Sequence, residues 1–194
     1  MLDTKTIRDR LSELEETHVV FFGDIERGRT IHSTATLLAT MGVKRMTFVA
    51  PHEEMRMREP YMFDNLRLAG VEVAETDELA GVAPDADVIY SVRTQYEFML
   101  DPDYWRGKLT GKALITPDDM KDSEALIMHP LPEDQEDRNI DPALRRDPRC
   151  IVKEQAAWGE WTRMALLALQ AGKSAMRTAE LSGMKPDKPP LASV

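Results

Sequence analysis

An open, doubly wound α/β sheet of about five parallel strands, with helices on both faces, is the fold the sequence predicts. Three observations predict it. Short, nearly continuous apolar runs such as His18-Val19-Val20-Phe21-Phe22 suit strands covered on both faces. Most of these runs lead into a segment whose apolar residues recur three or four apart, the spacing of an amphipathic helix. The connections are short, and parallel neighbours require helical crossovers of this kind.

The elements follow in order. Residues 3 to about 16 read as an amphipathic helix, with Asp3 or Thr4 as cap and Ile7, Leu11 and Leu14 on one stripe. The first strand, His18 to Phe22, ends in Gly23, a turn runs to Gly28, and Arg29 to about Thr40 is helical, stopped by Met41-Gly42. Arg45 to Ala50 is the second strand, Glu53 to about Leu68 the second helix, and Val71 to Thr76 the third strand. Asp87 to Val92 and Glu124 to Met128 are the fourth and fifth strands. Thr116-Pro117-Asp118-Asp119 caps a short helix, and Glu133 to Asp137 reads as solvated loop. Glu154 to Gly172 is a last helix, apolar on more than one side. One Rossmann-like domain over residues 17–172 is therefore expected, followed by a tail, residues 173–194, without periodicity and expected to be disordered.

Composition narrows the functions. Of 194 residues, 42% are apolar and 30% charged, enough to build a core. Twenty-five basic against thirty-four acidic residues leave a net charge of −9, which disfavours nucleic acid or an anionic membrane as partner. No window approaches the ~18 apolar residues of a membrane span, and the first ten residues lack the apolar stretch of a leader, so a cytoplasmic location is expected. Cys150, the single cysteine, has no partner for a disulfide or a metal site and reads as a buried core residue.

Ligands of doubly wound sheets lie at the carboxyl ends of the strands. There the sequence places Gly23-Asp24-Ile25-Glu26-Arg27-Gly28-Arg29-Thr30, Arg93-Thr94-Gln95, and His129-Pro130-Leu131-Pro132. Two arginines and a glutamine in one crevice suit a dicarboxylic ligand, because guanidinium binds carboxylate in a two-pronged fashion. Other readings stand beside this one. Arg29 could pair with Asp24 or Glu26 at a helix start, Arg93 could pair with Glu97, and His129 reads as a hydrogen-bonded structural histidine. The Gly23–Thr30 segment also has phosphate-loop spacing, with Arg29 where lysine is usual. Asp24 and Glu26 would then set carboxylates against phosphates, which weighs against it.

FFGDIERGRTIHS, SVRTQYE, IMHPLP and EQAAWGEWTRMALLALQAG, in that order, resemble the aspartate-binding domain of the aspartate carbamoyltransferase family, and LDTKTI resembles its connector helix. The likeness spans roughly residues 2 to 172. It implies that Arg29, Arg93 and Gln95 hold the two carboxylates of L-aspartate and that Asp24 supports them. Pro130, Leu131 and Pro132 would supply backbone carbonyls that orient the carbamoyl amide and the incoming amine, with the Leu131-Pro132 bond cis. The implied reaction joins L-aspartate to the carbamoyl group of carbamoyl phosphate for pyrimidine synthesis, in a trimer-based oligomer, with no metal or organic cofactor. Phe98 and Glu133 stand where the family usually has arginine, and Glu26 and Arg27 where it often has lysine and an aromatic residue. The family's Ser-Thr-Arg-Thr-Arg phosphate run is not in these residues. The resemblance thus implies no catalytic residue in these residues alone, and a carbamoyl-phosphate-binding domain or subunit as partner. A non-catalytic paralogue that regulates or scaffolds such a partner is the alternative.

Overall fold

A computed structural model describes residues 2–182, with side chains over residues 2–172. The described residues up to 156 form one compact unit, and those from 157 onward belong to a second. The first unit contains helix α1 (Leu2–Arg10), strand β1 (His18–Gly23), α2 (Arg29–Thr40), β2 (Arg45–Val49), α3 (Tyr61–Leu68), β3 (Glu72–Thr76), β4 (Val88–Val92), α4 (Pro102–Leu109) and β5 (Leu126–Met128). Helix α5 (Val152–Ser182) begins in the first unit, and its remainder is the described part of the second. It continues past the expected end at Gly172, so part of the expected tail is helical. Residues 183–194 of that tail lie outside the described residues.

The five strands are all parallel, in the order β3-β2-β1-β4-β5. Every residue of β1 and of β4 is buried, so both faces of the sheet centre are covered. That burial explains why these two strands read as unbroken apolar runs rather than alternating ones. At the centre of the core, the Phe21 and Phe48 rings stack at 5.1 Å, Tyr90 meets Phe21 edge-on at 5.7 Å, and Phe63 packs on Phe48 at 4.7 Å. Among the described residues no helix is long and apolar enough to cross a membrane.

Several elements differ from the expectation, each for a local reason. The second helix is shortened to α3 because Pro60 has no N–H for a helical interior. The chain instead makes a 3-10 turn at Glu53–Met55 and restarts after the proline. The connector helix ends at Arg10 rather than near residue 16. Beyond it, Glu16 and Thr17 close tight turns onto Glu13 and Leu14, and the Thr17 hydroxyl donates to the Glu13 carbonyl at 2.9 Å. The expected short helix at Thr116 is a turn held by a reciprocal pair. The Thr116 N–H donates to the Asp119 carboxylate at 2.8 Å, and the Asp119 N–H to the Thr116 hydroxyl at 3.3 Å. Cys150 is only half-buried, packed against the edge of the core.

Candidate functional site

The chain runs outward from β1 to β3, then returns to the other side of β1 as β4. Loops leaving β1 and β4 therefore diverge over a crevice at the carboxyl ends of two adjacent strands, where Gly23 is paired with Val92. Gly23 has φ +122°, and a Cβ there would lie 2.3 Å from the Val92 carbonyl oxygen, so the two strand ends approach as closely as they do only because residue 23 is glycine.

Asp24 follows at once and is fully buried. One carboxylate oxygen accepts from the Arg27 N–H at 3.1 Å and from the Arg27 guanidinium at 3.5 Å; the other accepts from the Gln95 N–H at 3.0 Å. Burial holds this carboxyl above the ordinary aspartate range, opposed by those hydrogen bonds and by the Arg27 charge. One side chain thus closes the turn before α2 and fastens it to the segment after β4. Arg27 is secured in turn by the Glu54 carbonyl at 2.8 Å.

The expected ligand-binding residues stand on these two loops. Arg29 opens α2, exposed, and its guanidinium makes no ion pair among the described residues, so it is not held by Asp24 or Glu26. Arg93 is half-buried and forms a two-pronged pair with Glu97, one arm at 3.0 Å. This pair raises the arginine and lowers the glutamate from their ordinary values. Gln95 donates from its side-chain amide to the Arg93 carbonyl at 3.3 Å. The Glu97 carboxylate therefore already takes up the Arg93 fork, while the Arg29 fork is open.

Strand β5, beside β4, delivers the third segment. His129 is buried, and its ring Nδ1 accepts from the Leu131 N–H at 3.0 Å, which bends the chain into a turn. Leu131 has φ 54°, and the Leu131–Pro132 bond is cis. Burial pushes the His129 imidazole down to about 4, with the Arg145 and Arg93 charges acting in the same direction, so it is neutral at physiological pH. Pro132, Glu133 and Asp134 continue into an open cleft of about 730 Å³ that Arg138 and Arg145 also line.

The acidic segment from Glu133 to Asp137 is not the solvated loop expected. Glu133 pairs with Arg145, and Asp134 with Arg106 at 3.0 Å. Asp137 is buried, accepting from the Tyr96 hydroxyl at 2.6 Å and from the Gly111 N–H at 2.8 Å. The Arg106 guanidinium lies 4.4 Å over the Tyr96 ring. Burial and the Asp137 carboxylate push the Tyr96 phenol up to about 12. Tyr96 adjoins Gln95, so this cluster braces the post-β4 segment against the chain that follows the cis-proline turn. Sequence reasoning did not find it, since its members lie far apart along the chain. A tyrosine directly after Gln95 was the available signal.

Comparison with known proteins places the chain in a family. Residues 15–170 match the family model described as aspartate/ornithine carbamoyltransferase, Asp/Orn binding domain. The aspartate carbamoyltransferase catalytic subunit of Methanosarcina acetivorans is 39% identical over 173 residues, covering 88% of this chain and 54% of that protein. The catalytic subunit of M. jannaschii aspartate transcarbamoylase superposes with a TM-score of 0.74 at 29% identity, over 86% of this chain and 52% of the other. The Trypanosoma cruzi aspartate transcarbamoylase, solved with carbamoyl phosphate and aspartate, gives 0.70 at 27% identity, over 86% and 52%. The chain spans about half the length of the relatives it matches. By sequence over most of its length, and by a sheet of the same architecture, it belongs to the aspartate/ornithine carbamoyltransferase family and corresponds to that family's Asp/Orn-binding domain.

Proposed function

We propose that these residues are the aspartate-binding half of an aspartate carbamoyltransferase. Arg29 and Arg93 would hold the two carboxylates of L-aspartate, and Gln95 would orient the amino acid. The carbonyls of Pro130 and Leu131 would direct its amine at the carbamoyl carbon of carbamoyl phosphate. The amine nitrogen forms the new C–N bond as the C–O bond to phosphate breaks. Phosphate leaves with the bonding pair, the amine loses a proton, and N-carbamoyl-L-aspartate results, a precursor for pyrimidine synthesis. Catalysis of this kind is positioning plus stabilisation of developing charge. The observation that carries the reading is the 3.0 Å bond from the Gln95 N–H to buried Asp24, which ties the Arg29 loop to the Arg93 loop. The phosphate grip would come from a carbamoyl-phosphate-binding domain separate from these residues. The trimer-based oligomer and cytoplasmic location expected above belong to the same proposal.

Mixing the chain with a carbamoyl-phosphate-binding domain of a relative and assaying carbamoylaspartate tests it. Arg93→Ala is expected to lower L-aspartate affinity by about 10- to 100-fold, the worth of a charge-assisted pair. Unchanged activity in that variant overturns the assignment.

Glu133 favours a second reading, a non-catalytic paralogue that regulates or scaffolds a partner chain. It sets a carboxylate, paired with Arg145, directly after the cis-proline turn, where the resemblance implies an arginine. Calorimetry with L-aspartate, with and without carbamoyl phosphate, separates the two. A chain that binds neither yet assembles with an active enzyme supports the paralogue.

A further inference from the structure

Gln155, in the first turn of α5, is 1% exposed, and none of the chemistry above uses it. A buried primary amide is costly unless both its ends are paired. Here both are. Oε1 accepts from the His129 N–H at 2.9 Å, and Nε2 donates to the Asp3 carboxylate of α1. His129 is the first residue past β5, and its ring accepts from the Leu131 N–H at 3.0 Å. An unbroken hydrogen-bonded path therefore runs from Asp3 through Gln155 and His129 to Leu131, the residue at φ 54° that precedes the cis proline. A second clasp joins the same two helices, a two-pronged pair from Arg10 of α1 to Glu154 of α5, one arm at 2.9 Å.

We propose that Gln155 is a positioning residue: it transmits the place of α1 to the backbone of the Pro130–Pro132 turn, so that moving α1 re-aims the turn's carbonyls. The catalytic consequence rests on the aspartate-transfer reading, whereas the mechanical coupling does not. Among the described hydrogen bonds Asp3 meets neither His129 nor Leu131, whereas Gln155 meets both Asp3 and His129. Asp3 also acts on Tyr90 of β4, and Gln155→Met leaves that second route intact.

The experiment is amide hydrogen exchange on the full chain, comparing His129 with Phe21 in β1, for wild type, Gln155→Met, Asp3→Ala and Asp3→Asn. Gln155→Met is expected to speed exchange at His129 relative to Phe21 by about tenfold, the loss of one buried hydrogen bond. Asp3→Ala is expected to do so by about threefold or more, and Asp3→Asn, which keeps an acceptor for the Gln155 amide, to restore the wild-type ratio. In the assembly with a carbamoyl-phosphate-binding domain, Gln155→Met should lower kcat about tenfold while KM for aspartate stays within about twofold. An unchanged ratio in Asp3→Ala, equal acceleration at both amides, or a shift in KM without one in kcat overturns the proposal. Should Gln155→Met fail to fold, the Asp3 variants decide. Should the wild-type assembly form no carbamoylaspartate, the function proposed above falls, and the exchange ratios alone decide the coupling.

Discussion

The N–H of Gln95 donates to the buried carboxylate of Asp24 at 3.0 Å, across the gap between the loops that leave β1 and β4. Two residues 71 apart in sequence thereby hold the crevice at a fixed width. Asp24→Ala should leave the Gln95 and Arg27 N–H groups unpaired and destabilise the fold by about 2–4 kcal/mol. Urea unfolding measures that loss. Calorimetry on the fraction that still folds should show weakened L-aspartate binding, since both ligand loops are freed together.

Gly23→Ala tests the same closure from the backbone. The new methyl would meet the Val92 carbonyl at 2.3 Å while the residue is held at φ +122°, where side chains are strained. A loss of at least about 3 kcal/mol is expected, read as a lowered urea midpoint. A variant as stable as the wild type would mean that the β1 and β4 ends can part without cost.

Neutral His129 makes stability depend on pH. Its folded value, about 4, lies below the ordinary 6.5, so the unfolded chain takes up the proton first as pH falls. Stability should be unaffected by this group above pH 6.5 and should decline toward pH 4, by about 3 kcal/mol in all. His129→Asn keeps an acceptor for the Leu131 N–H but has nothing to protonate. The stability difference between wild type and this variant should therefore narrow or reverse over that window, measured by urea unfolding at each pH.

Tyr96→Phe removes one hydroxyl and leaves one oxygen of buried Asp137 without its donor. About 1–2 kcal/mol of stability should go, seen in thermal unfolding. Adding Asp137→Asn to that variant should cost less than the two single changes summed, because the two residues form one contact.

Much of this was legible in the sequence. Strands β1 and β4 are buried on both faces, and burial of that kind writes itself as an apolar run, so the parallel sheet followed. Arg93 and Glu97 are four apart, and their pairing was foreseen as one of two readings. Helix α4 was missed because Pro102–Leu109 buries little besides Leu109 and so shows no stripe. Its start was nonetheless marked, by Asp101 accepting from the Tyr104 N–H ahead of Pro102 in the first turn. Asp137 could not be told from its acidic neighbours, since its burial depends on Tyr96, 41 residues away. Gln155 had a weak mark, a polar residue three and four positions after buried Val152 and Ile151. A partner for it became visible only once Asp3 of α1 stood within reach of the first turn of α5.

The central place of β1 in the sheet has a consequence for synthesis. β2 follows β1 to cover one of its edges, but the other edge pairs with β4, joined to it at His18 and Asp87, 69 residues apart. At ribosomal speeds that separation is roughly 3–14 s of elongation. Throughout that interval a strand that ends wholly buried presents an open row of N–H and C=O groups, which is where a chaperone, or a misfolding neighbour, would engage it.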